Sequence, residues 1–190
     1  MQEIFENLLR GHQKAFEKTF QGKDLELLEQ MARLLLAALK SGRKVMLCGN
    51  GGSAADAQHV AAEFVGRFEK ERRSLPALAL TTDTSALTAI GNDYSYDVIF
   101  SRQVEGLGNE GDVLIALSTS GNSPNVLEAV KVARAKKIHT IAFTGKDGGK
   151  IKDLVDICLI VKSEKTSHIQ EMHIFALHAV SEAVEKVFFD

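Results

Sequence analysis

From residue 45 onward the chain alternates between two hydrophobic periods. Short β-leaning apolar runs at Val45 to Cys48, Ala77 to Leu80, Val113 to Leu117, Thr140 to Phe143 and Ile157 to Val161 are separated by stretches with apolar residues at helical spacing. Runs that are apolar throughout suit strands buried on both faces, and strands joined by helical crossovers run parallel. The pattern predicts an α/β fold, a five-stranded parallel sheet with helices on both faces. A chain of 190 residues is long enough for one large core and short for two, so a single domain over 1–190 is expected.

Two helices are predicted ahead of the sheet. Ile4, Phe5, Leu8, Leu9, Phe16 and Phe20 keep close to helical spacing, and after the break at Gln21-Gly22-Lys23 the side chain of Asp24 is placed to cap a second helix to about Leu39. The last helix, from about Ile169 to Phe188, contains IFALHAV, in which His178 is the only polar residue. A helix that is apolar nearly all round needs cover on every side. Residues 1–41 and the last helix are therefore expected to pack against other subunits, with 42–190 forming the α/β core and C-terminal helix. The plainer alternative is a core helix covered within one chain.

Charge narrows the partners. The 23 basic and 25 acidic residues are mixed along the chain, so no basic stripe points to nucleic acid, and a small molecule or a protein is the expected partner. Cys48 and Cys158 each lie inside an apolar run with no metal-ligand spacing, which reads as buried, reduced core thiols. Met1 leads straight into helical periodicity and no apolar run approaches membrane-spanning length, so no membrane association and a cytoplasmic location are expected.

Two loops carry the candidate chemistry. Gly49, Gly51 and Ala54 satisfy a loose G-x-G-x-x-G/A pattern after a strand, which would set a phosphate at a helix N-terminus. A dinucleotide site also needs an acidic residue after the second strand, and Asp83 lies late for that role. The second loop, DVLIALSTSGNSPN, ends a buried strand in Ser118, Thr119, Ser120, Gly121, Asn122 and Ser123, with Pro124 suited to a first helical turn. One such hydroxyl would be an ordinary cap, whereas four around a glycine favour a cradle for a phosphate monoester. In a flavodoxin-like strand order 2-1-3-4-5, the glycine loop and the serine loop would sit together at the switch point where open sheets bind ligands.

His59 and Glu63 stand four apart on the helix leaving the glycine loop, so their side chains face the same way. Gln170 and His178 stand eight apart on the last helix, again on one face. Brought together, these groups could bind a divalent metal or move protons. Taken separately, the first pair reads as a solvated helix pair and His178 as a core histidine.

The segments CGNGGSAADAQHVAAEFVGRF, AIGNDYSYDVIFSRQVE, GDVLIALSTSGNSPNV, TGKDGGK and IQEMHIFALHAV together resemble the sugar isomerase (SIS) domain family, and within it the phosphoheptose isomerases. The resemblance runs over nearly the full chain. It implies a cytoplasmic homotetramer, with about one zinc per subunit, that interconverts sedoheptulose 7-phosphate and D-glycero-D-manno-heptose 7-phosphate through an enediol, for bacterial heptose and lipopolysaccharide biosynthesis. It assigns Ser118, Thr119, Ser120 and Ser123 to the phosphate, and Asn50, Gly51, Gly52, Ser53, Asn92, Asp93 and Gln170 to other substrate contacts. It matches His59, Glu63, Gln170 and His178 to the zinc ligands, and Glu63, which would also touch substrate, and His178 to the acid/base pair. His168 stands where members of the family often carry arginine, and Ser167 where they carry an acidic residue. Arg67 reads as a solvated helix residue and His173 as a packing group.

Two other readings compete with this one. Members of the family that associate with a replication initiator are non-catalytic tetramers, and FEKERRSLPALALTTD resembles that branch, although Glu63, His178 and Ser120 are all present here. A nicotinamide-dependent oxidoreductase would rest on the glycine pattern alone and leave the serine loop without a role.

Overall fold

The structure, a computed structural model, describes residues 1–190. Helices α1 (Gln2–Thr19) and α2 (Lys23–Lys40) are followed by β1 (Val45–Gly49), α3 (Gly52–Val65), β2 (Ala77–Ala79), α4 (Thr84–Asp93), a 3₁₀ turn (Tyr96–Val98) and α5 (Ser101–Leu107). Then come β3 (Val113–Ser118), α6 (Pro124–Ala135), β4 (His139–Gly145), a second 3₁₀ turn (Lys150–Asp153), β5 (Ile157–Val161) and α7 (Thr166–Phe189). The strands form one parallel sheet in the order β2-β1-β3-β4-β5, as the alternating pattern predicts.

β1 and β3 are apolar because both faces are covered: every residue of each is buried. On one face α2, α3 and α7 pack around Leu35, Leu47, Val60, Ile115, Phe143 and Leu177. On the other, α5 and α6 close over Met46, Phe100, Leu114, Ala116 and Val130. Truncating one of these large side chains to alanine costs about 2–5 kcal/mol, so the two layers fix the sheet firmly. Gly49 pairs with Leu117 and Ser118 with Thr144. Hence the strands on either side of the switch point end level, and their following loops emerge side by side.

Two local expectations are corrected. Asp24 lies within the first turn of α2, and the N-cap is Gly22, whose positive φ of 53° turns the chain. The last helix starts at Thr166, three residues earlier than the apolar pattern. Most of α7 is covered within the chain: Ile169, Met172, Ala176, Leu177, Val180 and Val184 are buried, against α1, α2, α3 and the sheet. The cover comes from the two N-terminal helices folding back over it. What stays bare is the outer stripe of α1, with Ile4, Phe5, Leu8 and Leu9 exposed, together with Phe175 and Val187 of α7. Cys48 is fully buried and burial raises its thiol to about 12, whereas Cys158 on the edge strand is only half-buried. No helix is long and apolar enough to cross a membrane.

Candidate active site

The glycine loop turns at Gly51, where φ is 56° and ψ is −119°, a backbone state that costs a residue with a Cβ far more than glycine. That turn starts α3 with no side-chain cap; the Ser53 and Ala54 N–H groups donate instead to the Asn50 and Gly51 carbonyls, each at 3.0 Å. Ser53 is buried against Gly49, where an added Cβ would come within 2.8 Å of Ser53 Cβ. Gly52 packs against Gln170 of α7, and a Cβ there would meet the amide nitrogen at 2.5 Å.

The serine loop has the same form. Ser123 is the N-cap of α6 and Pro124 sits in its first turn, yet no side chain caps the helix. The Ser123 hydroxyl instead lies 3.0 Å from that of Ser118, so simple capping does not explain this cluster. Ser120 Oγ accepts the Asn122 N–H at 3.2 Å, and Asn122 Nδ2 donates to the Ser120 carbonyl at 2.9 Å. Thr119 and Ser120 remain half-exposed at the strand end. Gly121 has φ of 66°, and a Cβ on it would overlap the Gly148 carbonyl oxygen. The loop after β4 thus supports the serine loop by main-chain contact, reinforced by the Ile151 N–H donating to Gly121 O at 3.0 Å.

The loops are tied together by Asn50, expected as a substrate contact, and by Asn125 and Tyr96, which sequence patterns do not single out. Asn50 and Asn125 exchange two amide hydrogen bonds, each 2.9 Å, and Tyr96 donates its hydroxyl to Asn50 Oδ1 at 3.0 Å. Asn125 is 1% exposed. Its place in the first turn of α6 was the only available signal. The Asn50 side chain therefore serves first as a clasp between the two loops.

A second group forms between α3 and α7. The buried stripe of α3, Ser53, Ala57, Val60, Ala61 and Phe64, faces the sheet, which turns His59 and Glu63 sideways toward α7. His59 Nε2 lies 2.8 Å from His178 Nε2 and 3.4 Å from Glu63 Oε1. The ligand atoms of His59, Glu63 and His178 all lie within 4.8 Å of one another, a set that could hold a metal ion. Two imidazole nitrogens and a carboxylate oxygen match the donors that zinc takes. Burial pushes the His178 imidazole below its ordinary range, helped by His59 and opposed by Glu63. Asp56, one turn before His59, has a buried oxygen without a hydrogen-bond partner, and burial raises its carboxyl despite the nearby His59.

The remaining candidates divide as follows. Gln170 shares a face of α7 with His178 but stands about 12 Å from it along the axis. Glu63 is about 16 Å beyond Gly52 along α3. One chain therefore presents a loop cradle, with Gln170, and a separate His-Glu-His group. Asn92 and Asp93 end α4, exposed and hydrogen-bonded to each other at 2.8 Å. His168 lies at the α1–α7 contact, where Gly11 leaves room for its ring, and stands edge-on to His12 at 6.4 Å. Ser167 beside it is exposed. His173 is fully buried and its Nε2 donates to the Thr144 carbonyl at 3.1 Å, a packing role. Arg67 is exposed and reaches only the Glu69 carbonyl and Glu71. Asp83 caps α4 by accepting the Ala86 N–H at 2.9 Å, so the acidic residue that the dinucleotide reading needs is already employed.

Comparison with known proteins gives the family and the fold. The SIS domain family model matches residues 12–145, and the chain belongs to the SIS domain family. It is 55% identical over 189 residues to the phosphoheptose isomerase of a Nitratiruptor species, covering 99% of this chain and 100% of that one. The phosphoheptose isomerase of Geobacter sulfurreducens is 54% identical over 189 residues, covering 98% of both. The solved structure of phosphoheptose isomerase from Neisseria gonorrhoeae superposes with a TM-score of 0.86 at 48% identity, covering 97% of this chain and 96% of that one. The one from Francisella tularensis gives 0.88 at 36% identity, with the same coverage. The protein is an enzyme of the isomerase class.

Proposed function

We propose that this enzyme interconverts sedoheptulose 7-phosphate and D-glycero-D-manno-heptose 7-phosphate, an aldose-ketose isomerisation. The observation that carries the reading is the convergence of His59, Glu63 and His178 from helices 119 residues apart in sequence. Moving a carbonyl between adjacent carbons requires removal of a carbon-bound proton and relocation of an oxygen-bound one, through an enediol. Glu63 is the base for the first, and His178, whose imidazole burial pushes below its ordinary range, is the proton shuttle at the substrate oxygens. Zinc held by His59, Glu63 and His178 would supply Lewis-acid polarisation of those oxygens; Gln170, which packs on Gly52 in the cradle, would join as a further oxygen donor only from a neighbouring copy. Glu63 cannot act as ligand and as free base at the same instant, so its two uses alternate.

The phosphate sits among Ser118, Thr119, Ser120 and Ser123, facing the uncapped start of α6. Asn50, Gly51, Gly52, Ser53, Asn92, Asp93 and Gln170 contact the rest of the sugar. The axial separations between cradle and His-Glu-His group, together with the bare apolar stripe of α1, favour a homotetramer in which neighbouring copies complete each site. In it the whole chain acts as one SIS unit, with 1–41 in the packing. The enzyme would work in the cytoplasm and feed heptose and lipopolysaccharide precursors. The relatives described above are named phosphoheptose isomerases, which favours catalysis over the reading as a partner for a replication initiator.

The test is to mix the purified protein with sedoheptulose 7-phosphate and follow the aldoheptose 7-phosphate by NMR, before and after chelation and zinc addition. Turnover that falls on chelation and returns with zinc is expected. No turnover under any metal condition, from an intact oligomer, overturns the reading.

A further inference from the structure

The segment after α3, FEKERRS, lies outside the site yet is pinned from both sides. Arg72, with 3% of its side chain exposed, spans the C-terminus of α3: its Nη2 donates to the Glu63 carbonyl at 2.6 Å and its Nη1 to that of Phe64 at 2.8 Å. These are carbonyls that a helix end leaves without intrahelical partners, at the end of the helix where a cation is favoured. The same guanidinium donates through Nε to Glu185 Oε1 of α7 at 2.8 Å.

Glu185, likewise 3% exposed, accepts three consecutive backbone N–H groups, from Phe68, Glu69 and Lys70, at 2.9, 2.7 and 2.8 Å. The pair therefore fixes the end of α3 to α7 and folds the intervening loop between them. Glu185 follows His178 by seven residues, two turns, and so projects from the same face of α7. The pinned loop returns to the site at Phe68, whose ring stands 5.8 Å from the His178 imidazole. Burial of this extent for an ion pair seldom adds much stability over apolar packing, and its better-attested use is to specify one arrangement.

We propose that Arg72 and Glu185 are positioning residues for the His59, Glu63 and His178 group: through the Glu63 main chain and the Phe68 wall they set how closely the two helices bring their ligands together. The proposal rests on the metal reading above. Arg72 itself is enclosed, while Glu69, Glu71, Arg73 and Ser74 of the same segment stay exposed.

Zinc binding to the metal-free protein, measured by titration calorimetry, tests this with Arg72→Lys and Glu185→Gln, each checked for wild-type circular dichroism and oligomer mass. Both are expected to lose about 10–100-fold in zinc affinity, with a matching fall in kcat and an unchanged KM for sedoheptulose 7-phosphate. Glu185→Gln, which keeps an acceptor for the backbone N–H groups, is expected to retain more affinity than Glu185→Ala. Wild-type protein that binds no zinc would defeat the metal reading itself. Wild-type binding with folded variants that bind equally well would overturn the positioning role, as would variants that lose their fold while the folded fraction binds normally.

Discussion

His59 and His178 face each other Nε2 to Nε2 at 2.8 Å, a hydrogen bond in which one ring donates and the other accepts, and a metal ion held there would take both nitrogens as ligands. Glu63 stands at 3.4 Å from His59 on the same side, and its carboxylate is the group whose loss separates chemistry from binding. Glu63→Gln keeps the side-chain shape and removes the base. Turnover is expected to fall by about 10²–10⁴-fold while sugar-phosphate binding by calorimetry stays near wild type. Joint loss of binding and folding would assign Glu63 to structure.

Ser120 holds its loop through Asn122 and keeps its hydroxyl half-exposed. Ser120→Ala should weaken sugar-phosphate binding by about 1–2 kcal/mol, seen as a raised KM with little change in kcat. Inorganic phosphate as competitor would show the same weakening.

At Gly121 a side chain has no room. The φ of 66° and the overlap of a Cβ with the Gly148 carbonyl oxygen combine backbone strain with a steric clash. Gly121→Ala is expected to cost more than about 2 kcal/mol in urea unfolding and to abolish phosphate binding in whatever remains folded. Gly106, with open space around its Cβ position, is the control, and Gly106→Ala should leave binding intact.

His173 gives the stability a pH dependence. Burial lowers its pKa from 6.5 to about 4, opposed by its bond to the Thr144 carbonyl. Because the folded pKa is depressed, the unfolded chain takes up the proton first. Its contribution is complete above pH 6.5 and is lost progressively as pH falls toward 4. His173→Gln, which can still donate to that carbonyl but does not titrate, should flatten the fall in Tm over that window. An unchanged slope would place the acid sensitivity elsewhere, for example at Glu185. Burial would raise that carboxyl, but the Lys70, Glu69 and Phe68 N–H groups and Arg72 hold it at about 2.

The layer order and both loops were legible because each rests on local pattern: doubly buried strands are apolar throughout, and helix starts after glycines or serines are short-range signals. The meeting of His59 with His178 was only half legible, since spacing puts each on a helical face but says nothing about which faces meet. The Asn50–Asn125 clasp and the Arg72–Glu185 pair were not legible. An asparagine in a helical first turn and an arginine in a charged run look like ordinary surface choices until the chain folds back over them. The cover of α7 was only half legible for a related reason: the apolar stripe of the last helix carries no mark of whether its partner is the same chain or another.

The seat of the serine loop is built from main chain, with Gly121 resting on the carbonyl of Gly148 and the Ile151 N–H on that of Gly121. Such an anchor depends on the absence of side chains at Gly121, Gly148 and Gly149 rather than on any polar group they could offer. If the loop holds the phosphate as proposed, sugars of different length or configuration could be accommodated by redrawing the far wall alone, with the seat of the anionic end left as it is.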